Sequence, residues 1–306
     1  MAKSTDKTRG PQAAGPARKG AAADPQGPAP ASGPTRVISV SSGKGGVGKS
    51  NLTLALALAL ASLRRRVLIW DADLGLANTD VLLGIRTRHT IHDWLKGSRT
   101  LEEIVIDVPG GISILPAASG ILELSDITRE EKERLISDFQ AWGGGDLDFM
   151  LIDTAAGIGQ NVMFFNLVAA EHIVVVTPEP TSITDAYSLI KTVATRHRRN
   201  SFYILPNMVS DLQEAKRVFR LLADVAGKHL PQVSLDLAGF VPKDDAVPDA
   251  VRRQTPFFTA FPASEASRKV LEAARRLVAA PPPPPGREGG LTLLLDRLGD
   301  NSLAVN

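Results

Sequence analysis

Ser41-Ser42-Gly43-Lys44-Gly45-Gly46-Val47-Gly48-Lys49-Ser50 is the stretch on which the reading of this chain turns. It sets Gly43, Gly48, Lys49 and Ser50 at the spacing G-x-x-x-x-G-K-[ST], the pattern of a loop that wraps phosphate groups. The run Arg36-Val37-Ile38-Ser39-Val40 before it is strand-like, and residues 52–63 after it favour a helix. That strand–loop–helix order separates a working phosphate loop from a chance match or a plain glycine-rich turn. Glycines without Cβ let backbone N–H groups close on a phosphate, and the helix start adds the favourable end of its dipole. Gly45, Gly46, Val47 and Asn51 complete the cradle, Lys49 is placed for the β/γ-phosphates, and the Ser50 hydroxyl for Mg²⁺.

Outward from the loop the chain divides into four parts. Residues 1–34 are rich in Pro, Ala and Gly without apolar periodicity, and are expected to be a disordered tail. Residues 35–280 alternate strand-like and helix-like runs. Strands are expected at 37–40, 67–70, 112–115, 149–152, 172–176, 202–205 and 235–241, and helices at 49–63, 129–142, 161–170, 182–196 and 211–226. Apolar strands alternating with helices predict an α/β fold: a doubly wound, mostly parallel sheet with helices on both faces. Residues 281–288 open with five prolines, a stiff spacer. Residues 289–306 form a tail in which Leu291, Leu294, Leu295 and Leu298 share one face at helical spacing, while Leu293 lies off it.

Composition excludes several function classes. The 306 residues hold no cysteine, which removes disulfides, thiolate metal sites and iron–sulfur clusters. The five histidines show no metal-ligand spacing. No apolar run reaches the roughly 18–20 residues that span a bilayer, and the N-terminus lacks the apolar core of a signal peptide. A net charge of +2 is too small to imply nucleic acid by itself. The basic run Arg196-His197-Arg198-Arg199 offers a DNA-contact surface or, more simply, a solvated helix end. Trp94 and Trp142 read as core or subunit surface, and Asp93 and the run Glu130-Glu131-Lys132-Glu133 as exposed faces.

Two acidic segments fall where a phosphate-loop fold gathers its chemistry, at the C-terminal ends of strands. Asp71-Ala72-Asp73-Leu74-Gly75-Leu76-Ala77-Asn78 follows Trp70, and Asp153-Thr154-Ala155-Ala156-Gly157 follows Ile152. Asp153 suits Mg²⁺ through its water shell, and Asp73 suits both Mg²⁺ and the attacking water; a strand-end Asp can instead cap the next helix.

Lys44 goes beyond the ordinary pattern. A lysine directly after the first glycine resembles the deviant phosphate loop K-G-G-x-G-K-[ST] of the MinD/ParA ATPase family. The segments 71–84 and 153–157, with Pro178-Glu179-Pro180-Thr181-Ser182, look most like that family's FlhG branch (also called FleN or YlxH), regulators of flagellar number and placement. The resemblance spans about residues 36–280. It implies an ATPase that binds ATP or ADP with Mg²⁺, forms a homodimer with ATP, and contributes Lys44 to its partner's nucleotide. It further implies Asn78 in nucleotide sensing, Asn207 at the adenine amino edge, and Val241 and Pro242 in a loop closing over the base. An FlhF-like GTPase or flagellar components would be partners, although no Asp-Gln-Ala motif precedes Arg36. The leucine-faced tail would hold the dimer at the inner face of the cytoplasmic membrane, or pack on the domain. A ParA-type partitioning ATPase binding DNA non-specifically shares every one of these sites. An iron–sulfur carrier, a ligase-type enzyme and a tyrosine kinase fit less well, for lack of cysteine ligands, of any need for Lys44, and of a tyrosine-bearing tail.

Overall fold

The computed structural model describes residues 35–73, 79–85, 87–116, 134, 137–138, 142, 147–197 and 199–282. Both tails, most of the proline spacer, Asn78 and most of the expected helix at 129–142 lie outside these residues.

The strands are β1 (Arg36–Ser42), β2 (Val67–Ala72), β3 (Ile106–Val108), β4 (Ile112–Leu115), β5 (Phe149–Ala156), β6 (Glu171–Val176), β7 (Ser201–Val209), β8 (Ser234–Leu237) and β9 (Val241–Pro242). They form one sheet in the order β3-β4-β2-β5-β1-β6-β7-β8, with β9 pairing to the far end of β7. Among the described residues every pairing is parallel except β3 with β4. The helices are α1 (Lys49–Ser62), α2 (Thr79–Leu83), α3 (Ile91–Leu95), α4 (Leu101–Ile104), α5 (Gln160–Val168), α6 (Pro180–His197), α7 (Leu212–His229), α8 (Ala246–Arg252), α9 (Phe257–Ala260) and α10 (Glu265–Ala279).

Burial on both faces explains the unbroken apolar strands. On one face Ile38, Val40, Ile69 and Leu151 pack with the Leu/Ala helix α1, then with Phe257 of α9 and Val270, Ala274 and Leu277 of α10. On the other, Trp70, Met150 and Ile152 meet Trp94 and Phe165, while Val174, Phe202 and Ile204 meet α6 and α7. Helix α1 is buried nearly all round because it is sandwiched between sheet and α10.

Several expectations are corrected. The single strand expected at 235–241 is broken: β8 ends at Leu237 and β9 starts at Val241. Between them Gly239 takes φ 154°, and a Cβ there would sit 3.3 Å from the Ala273 Cβ of α10. Strand β2 runs two residues past Trp70 and β5 four past Ile152, so Asp71 and Asp153 stand inside strands, not after them. Asp93 is not a bare exposed face: its carboxylate accepts from the Thr90 N–H in a capping box that starts α3. Trp94 is core, 1% exposed.

Candidate functional site

The loop 43–48 leaves the C-terminal end of β1 at the centre of the sheet, where neighbouring connections depart to opposite sides. Its geometry depends on glycine at two places. A Cβ on Gly43 would lie 2.2 Å from the backbone carbonyl of Asp185 in α6, so only glycine permits that helix to press on the loop. Gly48 caps α1 at φ 84°, and a Cβ there would meet Asn207 Nδ2 at 2.6 Å. No side chain caps α1 and its first turn holds no acidic residue, leaving its leading N–H groups directed at the loop. Such an end favours an anion.

Beneath the loop, Lys49 is 7% exposed and its ammonium lies 2.6 Å from Asp153 Oδ1. The Thr53 hydroxyl stands 3.2 Å from the same oxygen, and Ser50 Oγ is 3.5 Å from Lys49 Nζ. Asp71 sits beside Asp153 in the parallel β2–β5 register. Its carboxylate accepts from the N–H groups of Asp73 at 3.2 Å and Thr79 at 3.4 Å. Burial, and then the neighbouring Asp153 charge, push Asp71 up to about 6. The buried Lys49 ammonium thus pairs with Asp153, whose strand neighbour Asp71 is a second buried carboxyl. Hard oxygen donors (Ser50, Asp153 and the neighbouring Asp71) beside an open helix N-terminus fit Mg²⁺ together with a polyphosphate.

Lys44 stands apart from this buried cluster. Its ammonium is 2.7 Å from Glu179 Oε2 and 3.2 Å from Thr181 Oγ1, on the β6–α6 connection. The pair is 40% and 62% exposed. An exposed pair of this kind is worth about 0–1 kcal/mol, so Lys44 is readily released.

The remaining expected residues divide. Asn207 is buried, and its Nδ2 donates to the Val47 carbonyl at 2.7 Å, bracing the loop from β7. Val241 and Pro242 are buried in β9, with Val241 opposite Asn207. Asp73 lies just beyond β2, half-buried. Sequence reasoning gives Asp71 no role of its own; its signal is an acidic residue against an apolar run, shared with Asp73.

A profile of the ParA family, described as NUBPL iron-transfer P-loop NTPase, matches residues 33–278. The chain belongs to the ParA family of P-loop NTPases. The iron-transfer part of that description has no cysteine to work with in this sequence. Within the ParA family the chain is 42% identical to the antiactivator FleN of Pseudomonas aeruginosa, over 87% of this chain and 94% of that one. It is 32% identical to the flagellum site-determining protein YlxH of Helicobacter pylori, over 72% and 74%. Among solved structures it is similar to the septum site-determining protein MinD complexed with Mg-ADP from Pyrococcus horikoshii. That match has a TM-score of 0.64 and 25% identity, over 79% of this chain and 96% of that one.

Proposed function

We propose that this ParA-family protein is an ATP-driven dimerising switch that controls flagellar number or placement at the inner face of the cytoplasmic membrane. The protein is an ATPase, hydrolysing ATP to ADP and phosphate. The flagellar assignment rests on likeness to FleN and YlxH. The switch assignment rests on one observation, the second loop lysine. Lys49 is committed to the buried cluster, whereas Lys44 is exposed and held by a weak surface pair and the Thr181 hydroxyl.

In this reading the N–H groups of residues 43–51 and Lys49 would bind the phosphates, Asn207 with Val241 and Pro242 would meet the adenine, and Ser50, Asp73 and Asp153 would hold Mg²⁺. Mg²⁺, when bound, neutralises charge on the phosphate oxygens. Lys49 would pair with phosphate and Asp153 with the metal in place of each other, which would keep each buried charge paired. Asp73 orients the attacking water, and Asn78 senses the nucleotide. Lys44 leaves Glu179 and Thr181 to enter the partner subunit's site, so the charge that stabilises the transition state arrives only in the dimer. Hydrolysis is slow and times the association.

The test is Lys44→Ala. It should bind ATP as the unaltered protein does but lose turnover that rises with protein concentration. Unchanged ATPase per site across a dilution series would sink the reading.

A further inference from the structure

Directly behind the loop lies a chain of buried hydrogen bonds that the reading above leaves unused. Ile38 and Val40 of β1 face α1, so Ser39 and Ser41 face the opposite side, where α5 packs. Central strands of a parallel sheet fill such positions with apolar side chains. Here Asn166 of α5 meets both serines. Ser39 Oγ lies 2.9 Å from Asn166 Oδ1, and Asn166 Nδ2 donates to Ser41 Oγ at 3.0 Å and to the Val162 carbonyl at 2.8 Å. The Thr154 hydroxyl is 3.0 Å from Ser41 Oγ, and His172 Nδ1 is 2.9 Å from Ser39 Oγ. All five residues are at most 1% exposed.

If Ser39 donates to Asn166 Oδ1, His172 must carry its proton on Nδ1 and donate to Ser39. Ser41 accepts from Asn166 Nδ2 and its own hydroxyl is 3.2 Å from Asn166 Oδ1, while the Thr154 hydroxyl also reaches the Ala155 carbonyl at 3.0 Å and the Val40 carbonyl at 3.2 Å. Replacing both partners of a buried polar pair by well-packed apolar groups can be nearly neutral in stability, so we look for the value of this set in the placement it enforces. What it places is specific. Ser41 is two residues from Gly43, Thr154 is next to Asp153, and α5 is the helix that the exposed segment 157–159 leads into. That segment is also tied at its start, where the Gly157 N–H donates to the Ser42 carbonyl at 2.9 Å.

We propose that Asn166 is a positioning residue for nucleotide hydrolysis, acting through Ser41 and Thr154 to lock the loop and Asp153 to α5. The segment 157–165 is then pinned to β1 at both ends, and can move only between those pins. The proposal rests on nucleotide hydrolysis, which the proposed function couples to the dimer, so association is read separately from turnover.

The experiment uses the full chain in four forms: unaltered, Asn166→Leu, Ser41→Ala, and both together. Three quantities are read: turnover per site, Mg-ADP affinity by fluorescent-nucleotide displacement, and association with a non-hydrolysable ATP analogue by light scattering. Expected is a loss of kcat on the order of tenfold in each single variant, from misplacement of reacting groups. Mg-ADP affinity should stay within about threefold, and the double variant should be no slower than the slower single, since the two act as one unit. Unchanged kcat, parallel loss of kcat and ADP affinity, or multiplied effects in the double variant would each overturn it. Loss of association with kept ADP affinity would assign the defect to the dimer instead, and would also refute the proposal. Ser41→Ala removes a single oxygen and carries the test if Asn166→Leu does not fold.

Discussion

At the scale of single residues, two positions carry consequences that can be measured without any partner. Gly43 has no room for a methyl group: the Asp185 carbonyl would stand 2.2 Å from it, and backbone on both sides cannot yield as a flexible side chain can. Gly43→Ala should therefore cost about 1–3 kcal/mol of overpacking strain and weaken Mg-ADP binding at least tenfold, read by thermal melting and nucleotide titration. Retained affinity with an unchanged melt would mean that α6 moves away at no cost. Asp71 is the second position. Its carboxyl is pushed up to about 6 from 3.8, by burial and then by Asp153. Below about 4 the proton is held in both folded and unfolded chains, and the group costs nothing. Between about 4 and 6 the folded chain keeps a proton that the unfolded chain loses, so stability from this group falls as pH rises. Above about 6 the cost is complete, on the order of 3 kcal/mol. A ¹³C carboxyl titration in metal-free buffer should show a midpoint of about 6 for Asp71; a midpoint at the ordinary carboxylate value would remove this cost altogether.

At the scale of elements, the long apolar strands were legible because burial on both faces leaves an unbroken aliphatic signature, as in Ile173-Val174-Val175-Val176 of β6. Strand ends were not. Reading β2 as stopping at Trp70 hid Asp71, which its pairing with Asp153 of β5 holds inside the sheet. The break between β8 and β9 depends on Gly239 pressing against α10, a contact between residues far apart in sequence. Asn166, Ser39 and Ser41 escaped for the same reason: each is ordinary alone and acquires meaning only when α5 lies on β1. The loop itself was legible since its glycine spacing encodes the backbone shape directly. One tie between elements gives a prediction. Asp244 accepts from the Ala246 N–H at 2.9 Å through Oδ1 and from the Ala266 N–H at 3.0 Å through Oδ2, so one carboxylate fastens the starts of α8 and α10 to the loop after β9. Asp244→Ala should destabilise by about 1–2 kcal/mol in denaturant unfolding, the worth of a lost helix cap. It should also loosen residues 239–247, seen as faster amide exchange there; unaltered exchange would show that packing alone holds the loop.

At the scale of the whole molecule, the proposed switch links nucleotide, subunit pairing and membrane by arithmetic more than by contact. Among the described residues no helix is long and apolar enough to cross a membrane; in the proposed reading the segment 289–306 makes the attachment. In that reading Leu291, Leu294, Leu295 and Leu298, spaced for two helical turns, offer too little for one copy to hold a bilayer firmly. Two copies on one dimer change this, because once the first tail inserts the second does so at a high effective concentration, and avidity exceeds the single affinity by orders of magnitude. Membrane binding should then report the dimer. Asp73→Ala, which removes the group proposed to orient water, should accumulate the ATP dimer and co-sediment with anionic liposomes more completely than the unaltered protein does with ADP. Deleting residues 289–306 from that variant should abolish co-sedimentation while light scattering still shows the dimer. Co-sedimentation that survives the deletion would move the lipid contact to the folded domain. A trapped dimer that stays in the supernatant with its tail intact would assign the tail to a protein surface, and the switch would have to act on its target without the bilayer.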